Sequence, residues 1–388
     1  MNYTADQRRK LWGILVSLAL AITVAIVLDC LPMVSEPPTD TLDSSGEVTD
    51  AVIETPVTSE PVITDETEPD VTDIPESTDT PETTAPDTDA PVQDTSFVLT
   101  FLGECAPGSP LGTSSFGSYN ALTNENGFGY SFSQISSILS EDDLTVAANS
   151  CIFSDNNTMS SIIACAAPSA NAEIYKAGSV DFLSLAAPIL SEYSDSSISD
   201  TKSSLNNVSI QYAEDGQITY FENAGVRLAI VCLQLTKNLN TADDVAVIRQ
   251  AKESAEYVIV YFWGGDNGSH TPEEWLTETL RSFADAGASL VVGSGNGVLR
   301  PMEQYGSSTI AYSLGTLLDG AAIYHDNATV LLQLSLTKDD QGVLNTDIRL
   351  IPCYVYQNIW QPCLVSDAED ENLITAFLSG QAASPTEK

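Results

Sequence analysis

The sequence predicts an α/β fold built as a two-sheet sandwich. Three apolar runs rich in β-branched residues lie between Val258 and Leu317, and each ends in a glycine-rich loop, as buried parallel strands do. Amphipathic helical segments separate several of the apolar runs along the chain. The last two runs, Thr329–Thr337 and Gly342–Tyr356, follow each other without a helix, so we expect adjacent antiparallel strands. A strand-rich end after an α/β start is typical of two packed sheets.

The N-terminus predicts a membrane anchor. Residues 1–10 end in two arginines and a lysine, and the uncharged apolar stretch Leu11–Leu28 follows. Its length suits a tilted bilayer span, so we expect residues 11–31 to cross the cell membrane once, with a cytoplasmic N-terminus and an extracellular remainder. A cleaved signal peptide is the alternative, although its apolar region usually runs about 7–15 residues. Asp29 also stands where a cleavage site needs a small residue.

Residues 32–95 predict a disordered acidic linker. They consist mainly of Thr, Pro, Asp, Glu and Ser and contain neither Lys nor Arg. Such a segment has too little apolar surface to offset the entropy lost on ordering, and its like charges repel one another. A spacer through a cell wall and an ordinary exported linker would share this composition.

The net charge of the 388-residue chain is −40, from 14 basic and 54 acidic residues. Both the linker and the sequence after it are acidic. Binding to phosphate backbones or to anionic lipid surfaces depends on Lys and Arg, so this balance argues against a nucleic-acid partner.

Folded sequence is predicted to start at Ser96–Glu104, which reads as a first buried strand. Further strands are predicted at Leu144–Ala148, Phe182–Leu185, Val226–Leu233, Tyr257–Phe262, Leu290–Gly293 and Thr309–Leu314. A helix is predicted at Pro272–Gly287, because apolar side chains recur there on one face. Thr271 suits its N-cap, Pro272 its first turn and Gly287 its C-terminal stop.

The ends of these strands form a series of motifs. In order they read FLGE, AANSC, SLAAPILSEY, YFWGGDN, VVGSGNGVLRP and YSLG. In order and spacing, from about Phe97 to Tyr356, they resemble the bacterial capsule-synthesis family of the CapA, or poly-γ-glutamate synthesis, type. The resemblance implies a calcineurin-like metallophosphoesterase fold, a four-layer α/β/β/α sandwich. It places the CapA-like domain at residues 96–366 and a C-terminal helix and tail at 367–388.

The resemblance also implies that metal ligands have been lost. The chain departs from the family pattern, or keeps only part of it, at Glu104, Asn149, Cys151, Ala187, Pro188, Ile189, Glu192, Phe262, Asp266, Gly295 and Gly297. Where the family has Asp, Glu, Asn-Asn-His and further histidines, these positions now hold Glu, Cys, Ala-Pro-Ile, Phe and Gly. The two histidines of the chain, His270 and His325, match no motif position, and we expect solvated loop residues there.

The remaining oxygen ligands are few. Glu104, Asn149 and Asp266 are the candidates, whereas a two-metal phosphoesterase site needs several nitrogen and oxygen ligands around two ions. The pattern therefore indicates no cofactor and no catalytic residue. A single Ca²⁺ or Mg²⁺ held by oxygens is the alternative.

Two cysteine pairs leave alternatives open. Cys353 and Cys363 flank an aromatic segment that can turn back on itself, which suits either a disulfide or two buried thiols. Cys105 and Cys151 both follow predicted strands that end at the same edge. They suit a disulfide, a structural thiol pair or a reactive nucleophile.

The resemblance implies a role in making or exporting an anionic surface polymer, either poly-γ-glutamate or capsule. Because the metal ligands are replaced, we expect a membrane-anchored pseudoenzyme that binds a polymer or a capsule-synthesis protein. One alternative is an active metal-dependent hydrolase or phosphoesterase with a rearranged site. Another is a purely structural cell-surface protein.

Overall fold

The computed structural model of the protein describes residues 96–110, 113–156, 165–188, 190, 193–237, 240–265, 268–295, 297–321 and 327–386. The predicted membrane span at 11–31 and the linker at 32–95 lie outside these residues. Within the described ranges, no helix combines the length and the apolar character that crossing a bilayer requires.

The described strands include one for each predicted apolar run. They are β1 Ser96–Ala106, β2 Ser109–Pro110, β3 Leu144–Asn149, β4 Cys151–Phe153, β5 Cys165–Ala167, β6 Phe182–Ser184, β7 Gln211–Ala213, β8 Gln217–Asn223, β9 Val226–Leu235, β10 Tyr257–Gly264, β11 Leu290–Ser294, β12 Leu299–Tyr305, β13 Ser308–Leu314, β14 Thr316–Asp319, β15 Ala328–Lys338, β16 Leu344–Tyr354 and β17 Cys363–Leu364. The helices are α1 Tyr119–Asn126, α2 Ser136–Leu139, α3 Glu173–Ala177, α4 Asp195–Asn207, α5 Ala242–Ser254, α6 Glu274–Ala286 and α7 Ala368–Leu378.

The first sheet has eight strands in the order β17-β16-β15-β1-β3-β6-β7, with β14 also paired to β1. Strands β1, β3, β6 and β7 run parallel, and their connections include helices. Strands β15 and β16 pair antiparallel along their full length, as predicted from the two apolar runs that follow each other without a helix.

The second sheet has six strands in the order β12-β13-β11-β10-β9-β8. Strands β9, β10, β11 and β13 form its parallel centre, and β8 and β12 close the edges antiparallel. The parallel strands are buried on both faces, which explains their near-continuous Val, Ile and Leu runs.

Three clusters of buried side chains define four layers. Successive side chains of a strand point to opposite faces, so Ile230 of β9 lies between the two sheets whereas Val231 lies under helices α5 and α6. In the first sheet, Leu99 of β1 faces the inter-sheet core and Leu102 faces helices α1 to α4. The predicted α/β class is thereby confirmed, with helices outside both sheets.

A third sheet of three short strands, β2-β5-β4, was not predicted. Its strands have only two or three residues each, too few for a period-two pattern to be recognised. This sheet packs against the helical side of the first sheet, where Cys151 and Cys165 contribute to the core.

The predicted helix at Pro272–Gly287 is observed with a later start. Helix α6 begins after Glu273, which takes the N-cap position without a side-chain capping bond, so the predicted N-cap Thr271 is wrong. The reason lies outside the helix, because the Glu273 carboxylate binds the buried guanidinium of Arg300. Gly287 ends the helix with φ 115°, in the left-handed conformation that a glycine C′ residue favours.

Candidate functional site

The carboxyl ends of the two sheets meet at one edge of the sandwich. Glu104 near the end of β1 donates its backbone N–H to the carbonyl of Gly315, which follows β13, at 3.2 Å. A Cβ on Gly103 would lie 2.1 Å from the same carbonyl, so the two strands approach as closely as they do only with glycine there. Trp263 of β10 also packs at this edge, against side chains of both sheets.

Glu104 lies at this edge with a perturbed carboxyl. Burial, and then the neighbouring carboxylate of Asp319, raise the pKa of Glu104 from 4.5 to about 7, while Ser150 and Trp263 act to lower it. The hydroxyl of Ser150 donates to Glu104 Oε1 at 2.8 Å. A carboxyl with this pKa is partly protonated at neutral pH, so it can donate or accept a hydrogen bond.

The side chain of Asn149 forms hydrogen bonds with residues around its own loop. Its Oδ1 accepts hydrogen bonds from the Tyr175 hydroxyl at 2.8 Å and from the Cys151 backbone N–H at 3.4 Å, and its Nδ2 donates to the Cys151 carbonyl at 2.8 Å. The side chain is fully buried. Its amide oxygen therefore holds the turn between β3 and β4 and does not point at a ligand position.

The cysteines do not pair as the sequence suggested. The Cys105 thiol donates to the carbonyl of Gly103, whereas Cys151 Sγ contacts Cys165 Sγ at 3.4 Å. The proposed Cys105–Cys151 contact is therefore wrong, because β1 and β3 place Asn149 opposite Cys105 and leave Cys151 on the third sheet. Cys353 and Cys363 are free cysteines in the structure, as are Cys105, Cys151 and Cys165.

The segment after β6 places apolar groups at the edge. Ala187 is buried and Pro188 is half-buried, while Ile189, Ser191 and Glu192 lie outside the described part of the chain. A cavity of about 420 Å³ opens beside Ala187. Its wall combines Ile152, Leu185, Ala187, Leu190, Ile198, Thr201, Lys202, Glu214, Asp215, Gln217 and Gln234.

Aromatic rings fill the ends of β10 and β11. Phe262 is buried, and a Cβ on Gly293 would lie 2.5 Å from its Cζ. The Trp263 ring covers Gly295 in the same way, at 2.2 Å from the position of a Cβ. Trp263 Nε1 is buried, and although it acts to lower the pKa of Glu104, it does not meet the geometry of a hydrogen bond with any described acceptor. Rings thus occupy the positions where the family pattern has ligands.

Replacing Gly295 with alanine is expected to lower the free energy of unfolding by about 2–4 kcal/mol, since the new methyl group clashes with Trp263 and φ is +87°. Gly306→Ala is the matched control, because Gly306 also has positive φ (+58°) but nothing within 4 Å of a Cβ. We expect Gly306→Ala to cost about 1 kcal/mol. If urea denaturation shows that Gly295→Ala and Gly306→Ala lower the free energy of unfolding equally, Trp263 does not lie on Gly295.

A buried arginine stands beside the same loops, and sequence analysis missed it. The side chain of Arg300 is 0% exposed and binds the Glu273 carboxylate through its two terminal nitrogens. Nη1 donates to Oε2 at 3.0 Å and Nη2 donates to Oε1 at 2.8 Å. Its Nε donates to the Ser269 carbonyl at 2.8 Å. A Cβ on Gly265 would lie 2.5 Å from Nη1, so the guanidinium supports the loop that follows β10. The adjacent Asp266 lies outside the described residues.

The histidine predictions were not confirmed. His270 is half-buried, not solvated: its Nδ1 is 2.8 Å from the Leu299 carbonyl and its ring meets Phe377 edge-on. The C-terminal helix α7 supplies that phenylalanine, a contact that local sequence does not reveal. His325 lies outside the described residues. Gly297, the third glycine of the VVGSGNG loop, adopts φ +80°.

The described residues do not fit a dinuclear metal centre. Asn149 commits its amide oxygen to Tyr175, and the side chains of Ala187 and Phe262 have no nitrogen or oxygen atom to bind a cation. Within the described ranges, no three His, Cys, Asp or Glu side chains lie close enough together to hold a metal ion. The strand-end edge thus combines one carboxyl of raised pKa with packed apolar groups.

Solved structures of two other proteins are similar to this chain. A hypothetical protein from Thermus thermophilus aligns with 65% of this chain and 99% of its own, at 14% identity and a TM-score of 0.38. A 5'-nucleotidase from Candida albicans SC5314 aligns with 65% of this chain and 50% of its own, at 14% identity and a TM-score of 0.32.

Two sequence matches identify the family. The PGA biosynthesis protein CapA of Bacillus subtilis strain 168 is 31% identical over 98 residues, which are 25% of this chain and 26% of that protein. The chain therefore matches about a quarter of the length of this curated relative. The family model described as bacterial capsule synthesis protein PGA_cap matches residues 98–321, more than half of the chain. The resemblance seen in the strand-end motifs is confirmed, and the chain belongs to the bacterial capsule synthesis family.

Proposed function

We propose that the protein acts outside the cell membrane in the synthesis or export of an anionic surface polymer, of the poly-γ-glutamate or capsule type, as a non-catalytic binding protein. Family membership supports the polymer class, and the printed name of the Bacillus subtilis relative agrees with it. The apolar stretch Leu11–Leu28 behind a basic flank supports a single-pass anchor with the folded part outside. An acidic linker at 32–95 would then separate that part from the membrane.

The observation that carries the non-catalytic role is the use of the strand ends for packing. Cys151, Ala187 and Phe262 are buried, and the ring of Trp263 covers Gly295. In this arrangement Ala187 and Phe262 supply neither a ligand for a cation nor a group that transfers a proton. The loss of these groups supports a role in binding and not in catalysis.

The net charge of the chain limits the classes of partner that it can attract. The net charge of −40 repels an anionic polymer at long range. A direct contact with such a polymer therefore needs bridging cations, whereas a capsule-synthesis protein with a basic surface would be attracted. A protein partner agrees better with this charge.

A gene deletion with complementation and an activity assay of the purified full chain test the proposal. Deleting the gene is expected to reduce the surface polymer, and both the natural chain and Glu104→Gln are expected to restore it. The purified full chain in detergent is expected to show no turnover of phosphodiester or γ-glutamyl peptide substrates with Mn²⁺, Mg²⁺ or Ca²⁺. Metal-dependent turnover that disappears in Glu104→Gln contradicts the non-catalytic role. Unchanged polymer after deletion contradicts the polymer role and favours a purely structural protein.

A metal-dependent hydrolase with a rearranged site is the second candidate. The raised pKa of Glu104, to which the neighbouring carboxylate of Asp319 contributes, favours it, since a carboxyl perturbed by burial and a charged neighbour is typical of acid-base sites. Metal analysis of the purified protein separates the two candidates. One bound ion per chain that is lost in Glu104→Gln supports the hydrolase, and a metal-free protein supports the binding role.

A further inference from the structure

One pair of described thiols is in direct contact. Cys151 starts β4 and Cys165 starts β5, and the two residues are direct partners across neighbouring parallel strands. Their Sγ atoms are 3.4 Å apart. Neighbouring strands lie about 4.8 Å apart, a separation within the range of about 4.4–6.8 Å that disulfides span between Cα atoms. The spacing of the two strands is therefore compatible with a disulfide.

The surroundings hold both sulfurs in place. Cys151 is 0% exposed and Cys165 is 3% exposed. The backbone of Gly108 packs on Cys151 Sγ, since a Cβ at that glycine would lie 2.6 Å from the sulfur. Cys165 Sγ lies 3.3 Å from the carbonyl of Ala106. Because these neighbours leave the sulfurs little room to separate, bond formation needs only a small inward rotation of the two side chains.

Other described thiols lack such a partner sulfur. Cys105 donates to the carbonyl of Gly103, Cys353 to that of Ile351, and Cys363 to that of Tyr354. Cys151 and Cys165 also lie within donor distance of backbone carbonyls, those of Ile152 and Ala106, so the contact between their two sulfurs is what sets this pair apart. The geometry thus distinguishes the pair Cys151 and Cys165 from the remaining described cysteines.

We propose that Cys151 and Cys165 form a disulfide when the chain folds in an oxidising medium. Each thiol gives up its hydrogen, one bond forms between the two sulfurs, and the electron pair passes to a disulfide oxidant such as glutathione disulfide. The oxidant's own S–S bond breaks, and it leaves as two glutathione thiols. Exchange takes place before the third sheet closes over the sulfurs. After closure, burial protects the bond, and it also raises the pKa of the Cys165 thiol and so disfavours thiolate.

The bond would stabilise the candidate site. Cys151 follows Asn149 and Ser150, and Ser150 binds the carboxyl of Glu104. A disulfide ties this turn to β5 and closes a short loop of the unfolded chain, which reduces the entropy of the unfolded state. This inference concerns folding chemistry and stands independently of the proposed function.

Refolding the full chain in detergent, once with a reduced and oxidised glutathione mixture and once with a reductant alone, tests the pairing. Both samples are then unfolded in denaturant, free thiols are alkylated, and the masses of the protein and its peptides are measured. We expect the oxidised sample to lose two alkylation sites and to yield one linked peptide pair containing Cys151 and Cys165. Its Tm should exceed that of the reduced sample by about 5 °C or more.

Cysteine variants test whether this pair accounts for the difference in Tm between the two media. In the Cys151→Ser, Cys165→Ser double variant the difference in Tm between the two media should vanish, whereas in Cys353→Ser it should remain. Peptide mapping of the natural chain decides the question even if the double variant does not fold. Complete alkylation of Cys151 and Cys165 after oxidative refolding overturns the proposal, as does a linked peptide that joins Cys151 to Cys105.

Discussion

Replacing Arg300 with alanine is expected to lower the free energy of unfolding by about 3–5 kcal/mol. The guanidinium is fully buried and binds the Glu273 carboxylate through two parallel hydrogen bonds. Without the guanidinium, the largely buried carboxylate of Glu273 loses its charged partner. The substitution also empties the space beside Gly265. The loss is measured by urea denaturation at constant pH.

Arg281 offers a matched control. It forms a second arginine–glutamate pair, with Glu303 at 2.6 Å, but its side chain is 44% exposed. Solvent screens such a pair, so we expect Arg281→Ala to lower the free energy of unfolding far less than Arg300→Ala does. Arg300→Lys keeps the charge but loses the two-pronged geometry, and its cost should lie between the two alanine variants. If Arg300→Ala and Arg281→Ala cost the same, Arg300 is not buried in the protein.

Much of the fold was predictable because burial leaves a local signal. Strand β9 at Val226–Leu235 is buried on both faces, so its apolar run stands out in the sequence and its bounds were nearly correct. Strands β15 and β16 were predictable as an antiparallel pair because no helix separates them. The start of helix α6 was not, since Glu273 at its N-cap binds Arg300, which lies 27 residues further along the chain.

The candidate site was predictable only in part. Glu104 was found because it follows a strand and a glycine, as the motif requires. Asp319, which raises the pKa of Glu104, lies at the end of β14, and no pattern in the sequence indicates that β14 pairs with β1. Ser150 gave no signal either, because a serine between two candidate residues has many structural uses. Contacts between residues distant in sequence depend on strand order, which single-sequence patterns do not fix.

The cysteine pairing shows the same limit. Cys105 and Cys151 both end predicted strands, so a contact between them was reasonable. In the structure, β1 and β3 align Cys105 with Asn149, and the chain continues through Ser150 so that Cys151 joins a sheet of very short strands. Cys165 is its neighbour there, a partner that only the register of β4 and β5 reveals.

Glu104→Gln is expected to stabilise the protein at pH 8 and to leave its stability nearly unchanged at pH 4. Folding raises the pKa of Glu104 from 4.5 to about 7, so between these values the folded state binds more protons than the unfolded state. Stability therefore falls as pH rises through this window, by on the order of 3 kcal/mol. Glutamine does not titrate, and its amide oxygen still accepts the hydrogen bond from Ser150.

The measurement is the difference in free energy of unfolding between Glu104→Gln and the natural chain from pH 4 to pH 8. Asp142 and Asp244 also have pKa values raised to about 6, but they titrate in both proteins and cancel in the difference. Glu303→Gln is the control of opposite sign, because Arg281 and the Tyr312 hydroxyl lower the pKa of Glu303 despite its partial burial. Its stabilisation is present above the unfolded pKa and is lost as pH falls, so Glu303→Gln should weaken the protein most at high pH. A difference between Glu104→Gln and the natural chain that does not change with pH would mean that Glu104 ionises as an ordinary surface carboxyl, and the site would then lack the proton-sharing group on which the hydrolase candidate depends.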